Sequence, residues 1–158
     1  MVMKKTIAII GATEPTGKAA TMQLASHPGV RFLLLSPDTT ALASLTQTLH
    51  ASFPGAEIEA MTCTRDASWE ADIILLTVPE AEEEMVAQLI KEVVTGKIVI
   101  HINETGSPSE TLQKALPHSI IETLKPGELA GLSFTQIGLL PSSLIDLFSY
   151  YSIHFFEF

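Results

Sequence analysis

Short apolar runs that alternate with segments of helical character constrain this chain more than any other feature. The runs are Thr6–Ile10 (TIAII), Arg31–Leu35 (RFLLL), Glu57–Met61 (EIEAM), Asp72–Val78 (DIILLTV), Lys97–Ile102 (KIVIHI) and Ser119–Leu124 (SIIETL). Most are nearly continuous in apolar residues, as strands buried on both faces are. EIEAM alternates instead, which predicts an edge or half-covered strand. Between the runs lie helices with legible ends. One is expected from about Pro15 to Ser26, before His27-Pro28-Gly29, and one from a cap at Asp38 or Thr39 to about Ser52. A third is expected from about Glu80 to Val94, and another from Pro108 to Leu116. The third opens with Glu80, Glu82, Glu83 and Glu84, carboxylates that oppose the positive end of a helix dipole. Strand and helix in alternation predict an α/β fold with a doubly wound, mostly parallel sheet and right-handed crossovers.

The length of 158 residues suits one domain spanning 1–158. The net charge of −9 argues against a nucleic-acid partner, because phosphate contacts need Lys and Arg. Cys63 is the single cysteine, so no intramolecular disulfide can form and a cytoplasmic location is expected. The start, Met1-Val-Met-Lys-Lys, leads at once into a strand and offers no signal-peptide core. No apolar run approaches the roughly 20 residues of a membrane span, so no membrane partner is expected. Asn103-Glu-Thr matches a glycosylation sequon and is read as chance.

The last third is less regular. Leu132–Gly138 is expected as a strand, Ser142–Tyr151 as a helix and Ser152–Phe158 as a final strand. Six of the ten aromatic residues fall between Phe148 and Phe158, which sets this ending apart. It reads as a sheet edge covering the core. The competing reading is an apolar face for a second copy, a homodimer through the aromatic segment.

The first strand runs into Gly11-Ala12-Thr13-Glu14-Pro15-Thr16-Gly17 and then a helix. Dinucleotide-binding turns often have the form G-x-x-G-x-x-G. The first glycine permits the tight turn, the second lets the backbone approach the diphosphate, and the third lets helix and strand pack closely. The outer two are present and Glu14 occupies the middle position. The second strand ends at Ser36-Pro37-Asp38, where the adenosine ribose of a dinucleotide lies. Ser36 suits either a ribose hydroxyl or a phosphate, Pro37 brings no charge, and Asp38 reads as a helix cap. NAD and NADP therefore both stay open. The fourth strand runs out through Val78-Pro79, and the fifth ends near Asn103 and Thr105. Asn103 suits a nicotinamide or substrate carbonyl, or equally a turn before Gly106. His27, His50, His101, His118 and His154 show no metal-ligand spacing, and His101 within a strand reads as structural.

IAIIGATEPTGKAA, LLLSPD, WEADIILLTVPEAEEEMV and GKIVIHINE together resemble the deazaflavin-coenzyme-dependent NADP oxidoreductase family. Neighbours of that family are pyrroline-5-carboxylate reductase and the N-terminal domains of 6-phosphogluconate and prephenate dehydrogenases. The likeness covers about Lys4 to Leu124. It implies a Rossmann domain that binds NADP or NAD and serves an oxidoreductase acting on a small molecule the sequence does not identify. It further implies that Gly11 to Gly17 hold the diphosphate and that Ser36 and Pro37 lie by the adenosine. Val78 and Pro79 would pack near the nicotinamide ribose, with Asn103 close by.

Departures from the family are as informative. Glu14 replaces a glycine, Pro37 stands where a basic residue would help NADP, and the chain ends soon after the Rossmann unit. If position 14 needs a positive φ, a residue with a Cβ loses about 1–2 kcal/mol there. A carboxylate about 4 Å from one phosphate charge adds up to roughly 4 kcal/mol at an effective dielectric near 20. Screening removes most of that if the side chain swings into solvent. Glu14 could instead cap the helix as an internal anion. The alternative function is a non-catalytic Rossmann domain with a degenerate phosphate loop, acting in regulation or assembly.

Overall fold

The computed structural model describes residues 5–26, 29–126 and 128. Strands β1 (Lys5–Ile10), β2 (Val30–Leu35), β3 (Glu57–Ala60), β4 (Ile73–Leu76), β5 (Ile98–Ile102) and β6 (Ile120–Leu124) form one sheet. Their spatial order is β3-β2-β1-β4-β5-β6, and every neighbouring pair is parallel. This is the doubly wound order of a Rossmann sheet. The chain leaves β1 in one direction for β2 and β3, then crosses back to lay β4, β5 and β6 on the other side. The switch point is the seam between β1 and β4, where Ile7 to Ile10 stand opposite Ile73 to Leu76.

The helices are α1 (Pro15–Leu24), α2 (Thr39–Ser52), α3 (Thr64–Glu70), α4 (Glu83–Ile90) and α5 (Glu110–Ala115). They divide between two cores. Ile7, Ile9, Phe32, Leu34, Ile73, Leu75, Ile100 and Ile102 pack with residues of α1 and α2 on one face. Ala8, Ile10, Leu33, Leu35, Ile74, Leu76 and Val99 pack with residues of α3, α4 and α5 on the other. Alternate residues of each inner strand thus enter opposite cores, which requires the continuous apolar runs seen in the sequence. At the edge, β3 buries only Ile58, and its alternating pattern follows from that.

Helix ends follow local chemistry. Asp38 accepts a hydrogen bond from the Ala41 amide at 3.0 Å and caps α2. Ser109 accepts one from the Leu112 amide at 3.2 Å and caps α5.

Two expectations need correction. The segment expected as one helix from Glu80 to Val94 is a 3-10 turn at Glu80–Glu82 followed by α4, which ends at Ile90. Helix α3 was not expected at all. It is short and polar, and its buried residues, Ala67 and Ser68, are too small to write an apolar stripe. The expected elements at 132–138, 142–151 and 152–158, and the aromatic segment offered as a dimer face, lie outside the described residues.

Candidate functional site

The site is built at the carboxyl edge of the sheet, over the β1–β4 seam. Gly11 follows β1 with φ +91°, a conformation that a side chain strains. A Cβ there would meet the Thr77 hydroxyl at 2.8 Å. At Gly17, inside α1, a Cβ would lie 2.0 Å from the Gly11 carbonyl oxygen and 2.6 Å from Thr77 Oγ1. The two glycines therefore let the first turn of α1 close directly onto the end of β1, with Thr77 as the third member. The Thr77 hydroxyl lies 2.9 Å from the Ile10 carbonyl and 3.0 Å from the Gly11 carbonyl, sharing one proton between them. The Thr77 amide also donates to Ile10 O. Thr77 is buried, and its role in fixing the loop was not visible in the sequence, where it was one residue of a strand.

The loop is tied to β2 as well. The amides of Gly11 and Ala12 both donate to the Leu35 carbonyl. The Thr13 hydroxyl hydrogen-bonds the Ser36 hydroxyl, and Ser36 Oγ also accepts from the Asp38 amide at 3.1 Å. The expected diphosphate loop and the expected adenosine corner are thus in direct contact, with Pro37 and Asp38 exposed beside them.

Glu14 takes the N-cap position of α1 with φ −66° and ψ 150°. This is extended backbone, so the strain considered for a Cβ at this position does not arise. Its side chain makes no capping hydrogen bond. The idea of Glu14 as an internal anion capping α1 is therefore corrected. The carboxylate stands partly exposed on the wall of a cleft of about 840 Å³.

That cleft runs from Glu14, Pro15 and Thr16 across Thr77, Val78 and Pro79 to the loop after β5. Val78, Pro79 and Asn103 line it together, so three expected nicotinamide-side residues share one space with the start of α1. Asn103 is engaged within its own loop. Its Nδ2 donates to the Ser107 carbonyl at 2.8 Å, and its Oδ1 accepts from the Gly106 amide and the Thr105 hydroxyl. Gly106 supplies φ +71° for the turn. Of the two roles weighed for Asn103, the turn role is the one its contacts show.

The cleft is acidic. Glu14, Glu80, Glu83, Glu104 and Glu110 line it, and no described Lys or Arg does. Glu83 differs from the others because it is buried. Its Oε2 accepts from His101 Nε2 at 2.9 Å and its Oε1 accepts from the Ser109 hydroxyl at 2.8 Å. His101, on β5, is also buried, and its Nδ1 has no hydrogen-bond partner among the described residues. This cluster joins β5, α4 and the start of α5 in the wall of the cleft. Its signal in the sequence was Glu83 itself, which stands on the same α4 stripe as buried Val86, Ala87 and Ile90. Among the described residues, no group of three or more His, Cys, Asp or Glu is placed to hold a metal ion.

No protein-family model and no curated protein matches the sequence. Solved structures do match in fold. A protein assigned as an F420-dependent NADP-reductase from Arthrobacter sp. FB24 superposes with a TM-score of 0.58 at 13% identity, over 93% of this chain and 79% of that one. Lactate dehydrogenase from Eimeria maxima, solved with NADH and oxamate, gives 0.56 at 13% identity over 77% of this chain and 43% of its own. An imine reductase from Myxococcus stipitatus, solved with NADP+, gives 0.55 at 20% identity over 76% of this chain and 39% of its own. The chain spans less than half the length of the last two. At these identities the likeness is one of fold: the described residues form a Rossmann-type α/β domain.

Proposed function

We propose that this chain is the dinucleotide-binding domain of an NAD(P)-dependent oxidoreductase, with the diphosphate at the start of α1 and the nicotinamide in the adjoining cleft. The observation that carries the reading is the closure of Gly11, Gly17 and Thr77. A Cβ 2.0 Å from a carbonyl oxygen forbids any larger residue at position 17, and the start of α1, whose first amide belongs to Thr16 because Pro15 has none, stands beside the cleft. Amides at a helix start, with the helix dipole behind them, favour an anion. The switch point of a doubly wound sheet is where such ligands lie. The fold partners solved with NADH and with NADP+ support the same placement by analogy.

In this reading the protein supplies binding and orientation, and the nicotinamide supplies hydride transfer. The loop from Gly11 to Gly17 holds the diphosphate. Ser36, Pro37 and Asp38 meet the adenosine ribose. Val78 and Pro79 make a stiff wall against the nicotinamide side, and the β5–α5 loop closes the cleft opposite. The Glu83–His101–Ser109 cluster fixes that loop to β5 and α4.

Calorimetric titration of the purified chain with NADH and NADPH tests this. Saturable binding below millimolar concentration is the expected outcome, and no binding at several millimolar would contradict it. The acidic lining of the cleft favours a second reading, a Rossmann domain without nucleotide affinity that acts in regulation or assembly. The same titration separates the two.

A further inference from the structure

The end of β2 carries no positive charge and one fixed negative charge. We infer that the dinucleotide site selects NAD(H) over NADP(H), with Asp38 as the specificity-determining residue; the inference rests on the cofactor reading above. A 2′-phosphate is held best by a cation at the β2 tip, whereas a 2′-hydroxyl needs an acceptor.

The cations can be placed almost completely. Of the nine Lys and Arg residues, all but Lys4 lie among the described ones. Lys5 and Arg31 stand at the amino ends of β1 and β2, away from the site, and Arg31 is paired with Glu59 and Glu70. Arg65, on α3, is paired with Glu92. Lys18 follows the last glycine of the loop, on α1. Lys91, Lys97, Lys114 and Lys125 follow α4 or belong to the β5, α5 and β6 side of the sheet. The segment Ser36-Pro37-Asp38-Thr39-Thr40 contains none.

The hydroxyls of this corner, on Ser36, Thr39 and Thr40, bring no charge to offset a phosphate dianion. Ser36 Oγ accepts from the Asp38 amide and shares a hydrogen bond with Thr13. Asp38 is held in place by its cap on α2 through Oδ1, and its exposed carboxylate remains able to accept from a ribose hydroxyl. The same carboxylate repels a phosphate dianion. Both effects act in one direction.

The test is titration of the full chain with NADH and NADPH at low ionic strength. NADH should bind at least about tenfold more tightly, a difference of about 1.4 kcal/mol. Asp38→Asn keeps a good helix cap and should narrow the ratio. Pro37→Arg, at an exposed position, should move the preference toward NADPH. NADPH binding as tightly as NADH to the unaltered chain would overturn the inference and leave the cofactor reading standing. A ratio unmoved by Asp38→Asn would overturn the role of Asp38. Binding of neither cofactor would overturn the cofactor reading and this inference with it.

Discussion

Glu14 poses an electrostatic problem and not a conformational one. Its φ of −66° is open to any residue, so a glycine is not needed there for the backbone's sake. If the loop holds a diphosphate as proposed, replacing the charge alone should therefore strengthen binding. Glu14→Gln should tighten dinucleotide binding several-fold at low salt, Glu14→Gly should do no better, and the gain should shrink in high salt as screening removes the charge term. Calorimetry at two ionic strengths checks all three. Gly17 is the opposite case, since its requirement is steric. Gly17→Ala places a Cβ 2.0 Å from Gly11 O, so helix or strand must move. A loss of about 1–3 kcal/mol or more in urea unfolding is expected. Glu83 is held on both oxygens inside the protein, and Glu83→Ala strands both His101 and Ser109. That should cost on the order of 3 kcal/mol, with Glu83→Gln markedly milder. At this scale the sequence was only partly legible. Gly11 and Gly17 announce themselves, because no other residue fits their geometry. Glu83 hides among Glu80, Glu82 and Glu84, because burial of one acid in an acidic run depends on a histidine 18 positions away.

At the scale of elements, legibility followed apolar content. All six strands stand within two residues of the runs that predicted them, because each buries side chains on one or both faces. Helix α3 was illegible for the opposite reason: its contact with the sheet is made by small residues. The run Glu80–Val94 read as one helix because acidic start and apolar stripe are continuous, whereas the chain spends its first turn as a 3-10 segment and leaves the helix after Ile90. Helix α4 offers a direct comparison between its two sides. Ile90 is fully buried and Leu89 about half exposed. Ile90→Ala should cost about 2–5 kcal/mol. Leu89→Lys should change stability by less than about 0.5 kcal/mol, measured in the same urea series. Strand β6 brings a pH dependence. Burial raises the Glu122 carboxyl above its ordinary value of 4.5. The folded chain then binds this proton more tightly than the unfolded chain. The resulting stability is fully present below the unfolded value and is lost as pH rises through the raised folded value. Glu122→Gln should therefore stabilise the protein at neutral pH and have little effect at about pH 4, as urea midpoints at the two pH values would show.

Over the whole molecule, the order β3-β2-β1-β4-β5-β6 turns separate strand ends into one site. Adjacent β1 and β4 bring Thr77 onto the glycine turn, and adjacent β1 and β2 bring Ser36 onto Thr13. None of these contacts is local in sequence, yet the topology that makes them was legible from the alternation of strand and helix. The lining of the cleft was not, since it depends on how loops after β1, β4 and β5 converge. No described helix is long and apolar enough to cross a membrane. The central claim is that a dinucleotide lies across this edge with its diphosphate at the start of α1. The most direct measurement is an amide NMR titration of the full chain with NADH. Shifts should cluster at Gly11–Gly17, Ser36–Asp38 and the residues after β4 and β5. Saturating NADH that leaves Gly11–Gly17 unmoved, or that shifts only residues elsewhere, would contradict the account.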